Sequence, residues 1–297
     1  MRFGFLLKRG KPEARDLAAT LSKVLLGRGA SLVALAEDAT AIPGATVVAP
    51  DLLAASIDVL VVLGGDGTFL YGAALAADHG IPIFGVNLGS LGFITPYARG
   101  EAAAAIDEAC RGGLVIEERI RLAVSLRPAD GSAPQPARSA VNDAVLTRSV
   151  ARLLDLEARL DGAEITTYKA DGLIVATPTG STAYSLAAGG PLLTPDLQAM
   201  VLTPISPHTL TNRPLVFRPD SRLSIRNASD GPVSLTIDGQ WTEELPSNAW
   251  IDVRRAERPL RLYQAPRGFF GILREKLSWG SRRVEAHVED EDKGKGS

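Results

Sequence analysis

The chain has 297 residues, 45% of them hydrophobic, which is enough for one large or two ordinary domains with a substantial core. Its 32 Lys and Arg residues nearly balance 34 Asp and Glu residues, so it lacks the overall basic charge that non-specific nucleic-acid binding requires. The single cysteine, Cys110, excludes an intramolecular disulfide and fits a reducing compartment. Because no apolar run could span a membrane and no secretory signal opens the chain, we expect a cytoplasmic protein with no nucleic-acid or membrane partner.

The first part of the chain alternates strand-like and helix-like patterns. Short apolar runs predict strands at 3–7, 31–35, 57–63 and 81–86, and helical spacing predicts helices over 13–27 and 69–78. Strands that alternate with helices indicate parallel βαβ units. Residues 1–118 are therefore predicted to form an open, Rossmann-like α/β domain.

A glycine-rich turn, Gly64-Gly65-Asp66-Gly67-Thr68, follows the third predicted strand. Its glycines allow backbone N–H groups to approach an anion, and Thr68 stands where a helix N-cap is expected, so the turn can favour phosphate oxygens. A plain tight connection with a self-bonding aspartate fits this turn equally well. A second glycine turn, residues 87–92, follows the fourth strand and is predicted to lie at the same sheet edge, where ligands bind in such folds.

From residue 119 to 265 the pattern changes to many short runs rich in Val, Ile, Leu and Thr, separated by Pro, Gly, Asn and Asp. This spacing predicts a second, all-β domain. Residues 269–277 regain helical spacing, and the segment 266–288 is expected to pack back on the first domain. The final residues, 289–297, have the composition of a disordered tail.

Two further polar stretches lie in the β-rich part. Asn142-Asp143 is flanked by apolar residues, which indicates a strand end or bulge where both side chains could meet ligand hydroxyls, although such a pair also makes ordinary turns. The stretch 177–191 begins with four hydroxyl side chains and Tyr184 within eight residues at a predicted helix start. This is more than one helix cap requires, and it indicates an anion or sugar site.

Several familiar chemistries lack their motifs. There is neither a P-loop nor a Gly-x-Gly-x-x-Gly after the first strand, and the three histidines and one cysteine have no metal-ligand spacing. Gly180-Ser181-Thr182 lacks the nucleophile-elbow pattern of a Ser-His-Asp hydrolase. The turn Asp238-Gly239-Gln240-Trp241 is, by itself, a simple hairpin.

Taken together, the motifs resemble those of the NAD kinase family. The matching segments, all in the family's order, are 64–68, 87–93, Asn142-Asp143, Asp171-Gly172, 177–191, 204–208 and Asp238-Gly239-Gln240. The Gly-Gly-Asp-Gly turn is shared with lipid kinases and 6-phosphofructokinases, whereas the Thr-Pro-Thr-Gly-Ser-Thr-Ala-Tyr stretch is specific. The resemblance implies an N-terminal α/β domain, a C-terminal β domain and an NAD site between them.

The resemblance also implies a reaction: the γ-phosphoryl group of ATP, or polyphosphate in some members, passes to the 2′-hydroxyl of the adenosine ribose of NAD, giving NADP. It implies Mg²⁺ as the divalent metal ion, a homodimer or homotetramer, and Asp66 as the proton acceptor. The NAD contacts carried over by motif are Asp66, Gly67, Asn142, Asp143, Arg152, Lys169, Asp171, Thr182, Ala183, Tyr184, Ser185, Leu186, Ala187 and Gln240.

The sequence departs from the family pattern at two positions. Asp143 stands where Glu is usual, so its carboxylate has a shorter reach. Tyr71 stands where many members have Arg or Lys, and Arg148 or Lys169 is a candidate substitute for that cation. Two alternatives remain open at this stage: a lipid or sugar kinase of the same superfamily, and a nucleotide-binding module without turnover.

Overall fold

The computed structural model describes residues 1–148, 153–209, 211–264 and 267–277. The first part of the chain alternates strands and helices, as expected. Its elements are β1 (Arg2–Leu7), α1 (Pro12–Gly27), β2 (Ser31–Leu35), β3 (Thr46–Val48), α2 (Pro50–Ser56), β4 (Val59–Gly64), α3 (Asp66–Ala76), β5 (Ile83–Asn87), β6 (Tyr97–Ala98), α4 (Ala102–Cys110) and β7 (Ile116–Arg119). The sequence analysis did not predict β3 and α2.

The second part is almost entirely strands. Its elements are β8 (Leu122–Arg127), β9 (Arg138–Ala140), β10 (Asp143–Arg148), β11 (Leu154–Leu160), β12 (Ala163–Ala170), β13 (Gly172–Ala176), α5 (Tyr184–Ala187), β14 (Met200–Ile205), β15 (Leu215–Phe217), β16 (Leu223–Asn227), β17 (Val233–Ile237), β18 (Trp241–Leu245) and β19 (Trp250–Arg255). The chain then adds β20 (Leu260–Tyr263) and α6 (Gly268–Leu277).

The N-terminal sheet is mixed and mostly parallel. Among the described residues it has the order β3-β2-β1-β4-β5-β20-β7, with β6 paired to β5, and only the β20–β7 pair is antiparallel. Parallel pairing aligns Gly64 at the end of β4 with Asn87 at the end of β5. Both predicted glycine turns therefore leave the same edge of the sheet, and the Leu88 N–H donates to the Gly64 carbonyl at 3.0 Å.

Helix α3 packs very closely on the sheet. A Cβ atom added to Gly72 would lie 2.9 Å from Val62, so a larger residue at this position would push the helix away from β4. The residues of β4 are all buried, as is typical of a central parallel strand. This close packing places the first turn of α3 directly beyond the end of β4.

The β-rich part forms two antiparallel sheets around one core. Their orders are β15-β14-β13-β10-β17-β18 and β12-β11-β16-β19-β8-β9 in the described residues. Strands such as β16 and β17 bury every second side chain, which is the pattern of sheets packed face to face. The predicted fold class, an α/β domain followed by an all-β domain, is confirmed.

The C-terminal elements return to the first domain. The Phe269 ring of α6 lies 6.4 Å from that of Phe93, and Arg267, just before the helix, forms a 3.1 Å ion pair with Glu101. Strand β20 is hydrogen-bonded into the N-terminal sheet, although its sequence lies within the predicted second domain, 119–265. Its short apolar alternation fits either sheet, so sequence alone could not assign it. Residues 278–297, which include the predicted tail, lie outside the described residues.

A buried arginine connects the two domains. Arg121, between β7 and β8, is only 1% exposed, and its Nη2 lies 2.7 Å from the Asp78 carboxylate in the first domain. Its Nη1 also donates to the Ser139 hydroxyl at 2.8 Å, and its Nε donates to the Arg258 carbonyl at 3.0 Å. A charge buried this deeply is costly unless it is paired, so these contacts hold the domains in one arrangement.

None of the described helices is long and apolar enough to cross a membrane.

Candidate active site between the two domains

The turn between β4 and α3 differs from the prediction in one detail. The N-cap is Gly65 and the helix begins at Asp66, so Thr68 lies inside the first turn and is not the cap. Thr68 packs against the strand end, where a Cβ on Gly64 would lie 2.4 Å from its hydroxyl. Asp66 is therefore the first helical residue, where a negative charge is favoured by the helix dipole.

The Asp66 carboxylate is held by the second glycine turn. Its Oδ2 accepts a 3.1 Å hydrogen bond from the Phe93 N–H, and its Oδ1 accepts one of 2.7 Å from the Thr95 hydroxyl. Thr95 is fully buried and in turn accepts a 2.8 Å hydrogen bond from the Asn87 side chain. Because a Cβ on Gly92 would lie 1.9 Å from Asp66 Oδ1, only glycine permits this approach.

Asn142 and Asp143 lie at the start of β10, where the Asp238 carboxylate binds their backbone N–H groups. Asp238 accepts hydrogen bonds from the backbone N–H groups of Val141, Asn142 and Asp143 at 2.7, 2.7 and 3.1 Å. Burial and the nearby Asp238 charge raise the pKa of Asp143 to about 7. Burial also raises the pKa of Asp238, although its three backbone hydrogen bonds oppose this. The Asn142 and Asp143 side chains make no hydrogen bond to another described residue.

The Thr-Pro-Thr-Gly-Ser-Thr stretch packs against Asn142. The Thr177 hydroxyl donates to the Val141 carbonyl at 2.6 Å, and the Thr177 N–H donates to the Asn142 carbonyl at 2.9 Å. A Cβ on Gly180 would lie 2.0 Å from the Asn142 carbonyl oxygen, so the two segments touch through their backbones. The Thr179 hydroxyl is buried and has no hydrogen-bond partner within the described part of the chain. A buried hydroxyl of this kind is costly unless a ligand completes it.

The segment that follows contains Thr182, Ala183, Tyr184, Ser185, Leu186 and Ala187. The Thr182 hydroxyl donates to the Thr179 carbonyl at 3.0 Å, and Tyr184 is 44% exposed. Ser185 is fully buried, and its hydroxyl lies 2.9 Å from that of Thr203 in β14. The Ser185 side chain is thus engaged in the protein interior, whereas Tyr184 is open to solvent.

Gln240 links the β domain to the glycine turn. It follows a hairpin turn in which Asp238 and Gly239 both have positive φ, at 51° and 64°. Its Nε2 donates to the Gly67 carbonyl at 3.0 Å, across the domain boundary. The structure therefore brings Asp66, Gly67 and Gln240 together.

Lys169 and Asp171 do not lie beside Asp143. Antiparallel pairing sets Asp143 opposite Ala176, whereas Asp171 precedes Gly172, which pairs at the other end of β10. Five strand residues separate the two ends, or roughly 15 Å. Asp171 there forms a 3.2 Å ion pair with Arg148.

Arg148 and Lys169, the candidate substitutes for a cation at position 71, form ion pairs with Asp171 and Asp155. Arg152 lies outside the described residues.

Beside Asp66 is a cavity of about 310 Å³ with three lysines at its rim, which we call the lysine cavity. It is lined by Lys8, Lys11, Gly64, Gly65, Asp66, Asn87, Leu88, Gly89, Ser90, Gly92 and Lys276. None of the three lysines has an ion-pair partner among the described residues. A concentration of unpaired cations beside exposed backbone N–H groups suits a polyanion.

The sequence analysis missed Thr95 and the structural role of Asp238. Thr95 lies in a loop with no polar cluster, so nothing in the sequence distinguishes it. Asp238 had a signal, since Asp-Gly-Gln fits a turn, but its hydrogen bonds reach back 95–97 residues along the chain. Local patterns do not show such contacts.

The fold and the site indicate a two-domain kinase, in which the β domain contacts the glycine turn of the α/β domain through the hydrogen bond from Gln240 to Gly67. Comparison with known proteins makes this more specific. Residues 3–114 match the model of the ATP-NAD kinase N-terminal domain, and residues 141–265 match that of the ATP-NAD kinase C-terminal domain. The chain belongs to the ATP-NAD kinase family.

Individual relatives agree with this assignment. An NAD kinase of Geotalea daltonii is 43% identical over 274 residues, which cover 91% of this chain and 96% of that protein. One from Moorella thermoacetica is 40% identical over 96% of this chain and 91% of its own. Among solved structures, yeast NADH kinase complexed with NADH has a TM-score of 0.87 at 27% identity and covers 95% of this chain and 89% of its own. An NAD kinase from Archaeoglobus fulgidus in complex with ATP has a TM-score of 0.74 at 25% identity, with coverages of 92% and 99%.

Proposed function

We propose that the protein transfers the γ-phosphoryl group of ATP to the 2′-hydroxyl of the adenosine ribose of NAD, giving NADP. The observation that carries this proposal is the position of Asp66. Its carboxylate is held between Phe93 and Thr95, borders the lysine cavity, and lies beside Gly67, which the β domain contacts through Gln240. ATP bound in the lysine cavity and NAD bound on the β-domain side would meet at the Asp66 carboxylate.

Asp66 is proposed as the proton acceptor. A ribose hydroxyl is far less acidic than a carboxylic acid, whose reference pKa is about 3.9 for Asp, so removal of the proton before transfer is not feasible. In a loose phosphoryl-transfer transition state the nucleophile needs orientation first and loses its proton late. The two hydrogen bonds to Asp66 fix its carboxylate for that task.

The acceptor NAD is proposed to bind along the β-domain side. Asn142 and Asp143 present side chains that no described residue satisfies, and the buried Thr179 hydroxyl lies in the stretch packed on Asn142. Amide, carboxyl and hydroxyl groups are the partners that ribose hydroxyls and a purine edge require. Gly67, Gln240 and the segment from Thr182 to Ala187 would complete this surface.

The donor phosphates are proposed to occupy the lysine cavity. Lys8, Lys11 and Lys276 come from the loop after β1 and from α6, so elements from both ends of the chain supply its positive charge. Positioning and charge stabilisation account for most of the catalysis in phosphoryl transfer. The return of α6 to the first domain thus serves the site by bringing Lys276 to it.

A divalent ion, Mg²⁺, is proposed to accompany ATP. No group of three or more potential metal-ligating side chains occurs in the described ranges, but Mg²⁺ commonly uses one or two carboxylates together with substrate phosphates. Asp66 and Asn87 line the cavity and would hold an ion that arrives with the donor, with Asn87 Oδ1 already accepting a 2.8 Å hydrogen bond from the Gly89 N–H. When bound, such an ion neutralises developing charge on the phosphates.

Lys169 and Asp171 remain proposed NAD contacts, and their position has a consequence. Because Asp171 lies roughly 15 Å from Asp143 within one chain, we propose that it reaches NAD, together with the nearby Lys169, from a neighbouring copy in a homodimer or homotetramer. A mixture of Asp66→Asn and Asp171→Ala proteins should then regain activity that neither has alone.

For localisation, the single cysteine is consistent with the cytoplasm.

The test is product mapping. Purified protein is incubated with ATP, Mg²⁺ and NAD, and the position of the new phosphate is determined by NMR spectroscopy. We expect phosphate on the 2′-oxygen of the adenosine ribose. Parallel reactions contain NADH, polyphosphate, diacylglycerol or a hexose. Absence of NADP, phosphate at another position, or faster phosphorylation of the lipid or sugar would contradict the proposal.

A further inference from the structure

A second cavity lies on the other side of Lys8. Its volume is about 370 Å³, and its lining includes Leu6, Leu7, Arg9, Glu37 and Tyr71 as well as Lys8, Gly67 and Thr68. We call it the tyrosine cavity. Lys8 is common to both cavities, and the glycine turn lines the lysine cavity through Gly64 to Asp66 and this one through Gly67 and Thr68.

Tyr71 is an exposed aromatic residue that the reaction as proposed does not use. It lies one helical turn after Gly67, and side chains of an α-helix lean back toward its N-terminus. Gly67 has no side chain, and a Cβ placed there would meet no atom within 4 Å. The Tyr71 side chain, 42% exposed, therefore borders open space beside the glycine turn.

The rest of the tyrosine cavity is half apolar and half charged. Leu6 and Leu7 end β1, while Arg9 and Glu37 form a 2.7 Å ion pair at the rim. The exposed Tyr71 ring and the Glu37 carboxylate, which can accept from an amino group, suit a flat heterocycle with a polar edge. Inorganic polyphosphate contains no heterocycle that could bind in this way.

We propose that the tyrosine cavity binds the nucleoside of the ATP donor, with the base against the Tyr71 ring. The phosphates would pass Lys8 into the lysine cavity and end beside Asp66. This inference rests on the proposed function and goes beyond it, since it makes Tyr71 a determinant of donor class. Tyr71 would matter to a nucleotide donor and not to an inorganic polyphosphate.

The experiment compares Tyr71→Ala with wild type and with Tyr71→Phe, which keeps the ring. Calorimetry gives the Kd of each protein for ADP and for tripolyphosphate, and steady-state rates give KM for ATP and for NAD. We expect Tyr71→Ala to raise the Kd for ADP and the KM for ATP about tenfold, a typical cost of losing one base-stacking side chain. The KM for NAD should stay within about twofold, and Tyr71→Phe should resemble wild type.

Lys8→Ala serves as the contrasting variant. Because Lys8 lines both cavities, its loss should weaken ADP and tripolyphosphate alike. An unchanged Kd for ADP in Tyr71→Ala, an equal loss for ADP and tripolyphosphate, or a rise in the KM for NAD instead would overturn the inference. Each of these outcomes can occur while wild-type protein still makes NADP. Failure of wild type to make NADP would instead count against the proposed function.

Discussion

Replacing Gly92 with Ala should impair catalysis by displacing the Asp66 carboxylate, although Gly92 itself contributes no side chain to the site. The added Cβ would lie 1.9 Å from Asp66 Oδ1 and 2.3 Å from the Thr95 hydroxyl. Since Cβ contacts below 3.0 Å essentially never occur, the carboxylate must move by at least about 1 Å. A misplacement of this size typically costs about 10²-fold in rate, or roughly 2.7 kcal/mol of barrier. Gly92 does not have positive φ, so alanine imposes no backbone strain there.

The assay is NADP formation at saturating ATP and NAD, with a thermal unfolding curve for each protein. Gly100→Ala is the matched control, because its Cβ would meet no atom within 4 Å and its φ is also not positive. We expect kcat to fall about 100-fold in Gly92→Ala, with KM for NAD nearly unchanged, and to remain at the wild-type level in Gly100→Ala. A Gly92→Ala enzyme with kcat within threefold of wild type would refute the view that Asp66 must be held in this position.

Three other predictions follow from the acceptor side. The folded state binds the Asp143 proton more tightly than the unfolded state, so the free energy of unfolding falls as pH rises from about 4 to about 7. Asp143→Asn should therefore be more stable than wild type by on the order of 4 kcal/mol above pH 7, but not near pH 4. Urea unfolding of both proteins at the two pH values measures this difference. Gly180→Ala should destabilise the protein by about 1–3 kcal/mol and raise KM for NAD, because its Cβ meets the Asn142 carbonyl at 2.0 Å; an unchanged melting temperature would contradict this. Gln240→Ala loses the hydrogen bond to Gly67 and should raise KM for NAD several-fold while stability changes by less than about 1 kcal/mol, and equal kinetics would show that this contact is dispensable.

Much of the first domain could be predicted because its signals are local. Apolar runs that end in glycine gave the strands and the common edge of the two turns, which the parallel pairing of Gly64 with Asn87 confirms. The helix start was misplaced at Thr68 because glycine, aspartate and threonine are all acceptable caps, and the observed cap is Gly65. Local preference could not determine that choice.

The contacts that complete the site are long-range, and the sequence does not show them. Thr95 reaches Asp66 across 29 positions, and Asp238 reaches Val141 across 97. Motif resemblance proposed Asn142 and Asp143 as NAD contacts but could not reveal that the buried Asp238 carboxylate holds their backbone. Resemblance also proposed Lys169 and Asp171 as NAD contacts. It could not show how far Asp171 lies from Asp143, because strand register is a property of the folded sheet.

The central claim is that Asp66 accepts the proton from the ribose hydroxyl, and Asp66→Asn tests it most directly. Asparagine keeps the size of the side chain and removes its basicity, so NAD should bind with a Kd within a few-fold of wild type. Single-turnover formation of NADP should fall by about 10²–10⁴-fold, the usual value of a positioned base. Turnover within roughly tenfold of wild type would contradict the assigned role, and unchanged NAD binding with no turnover in either protein would indicate a binding module instead of an enzyme.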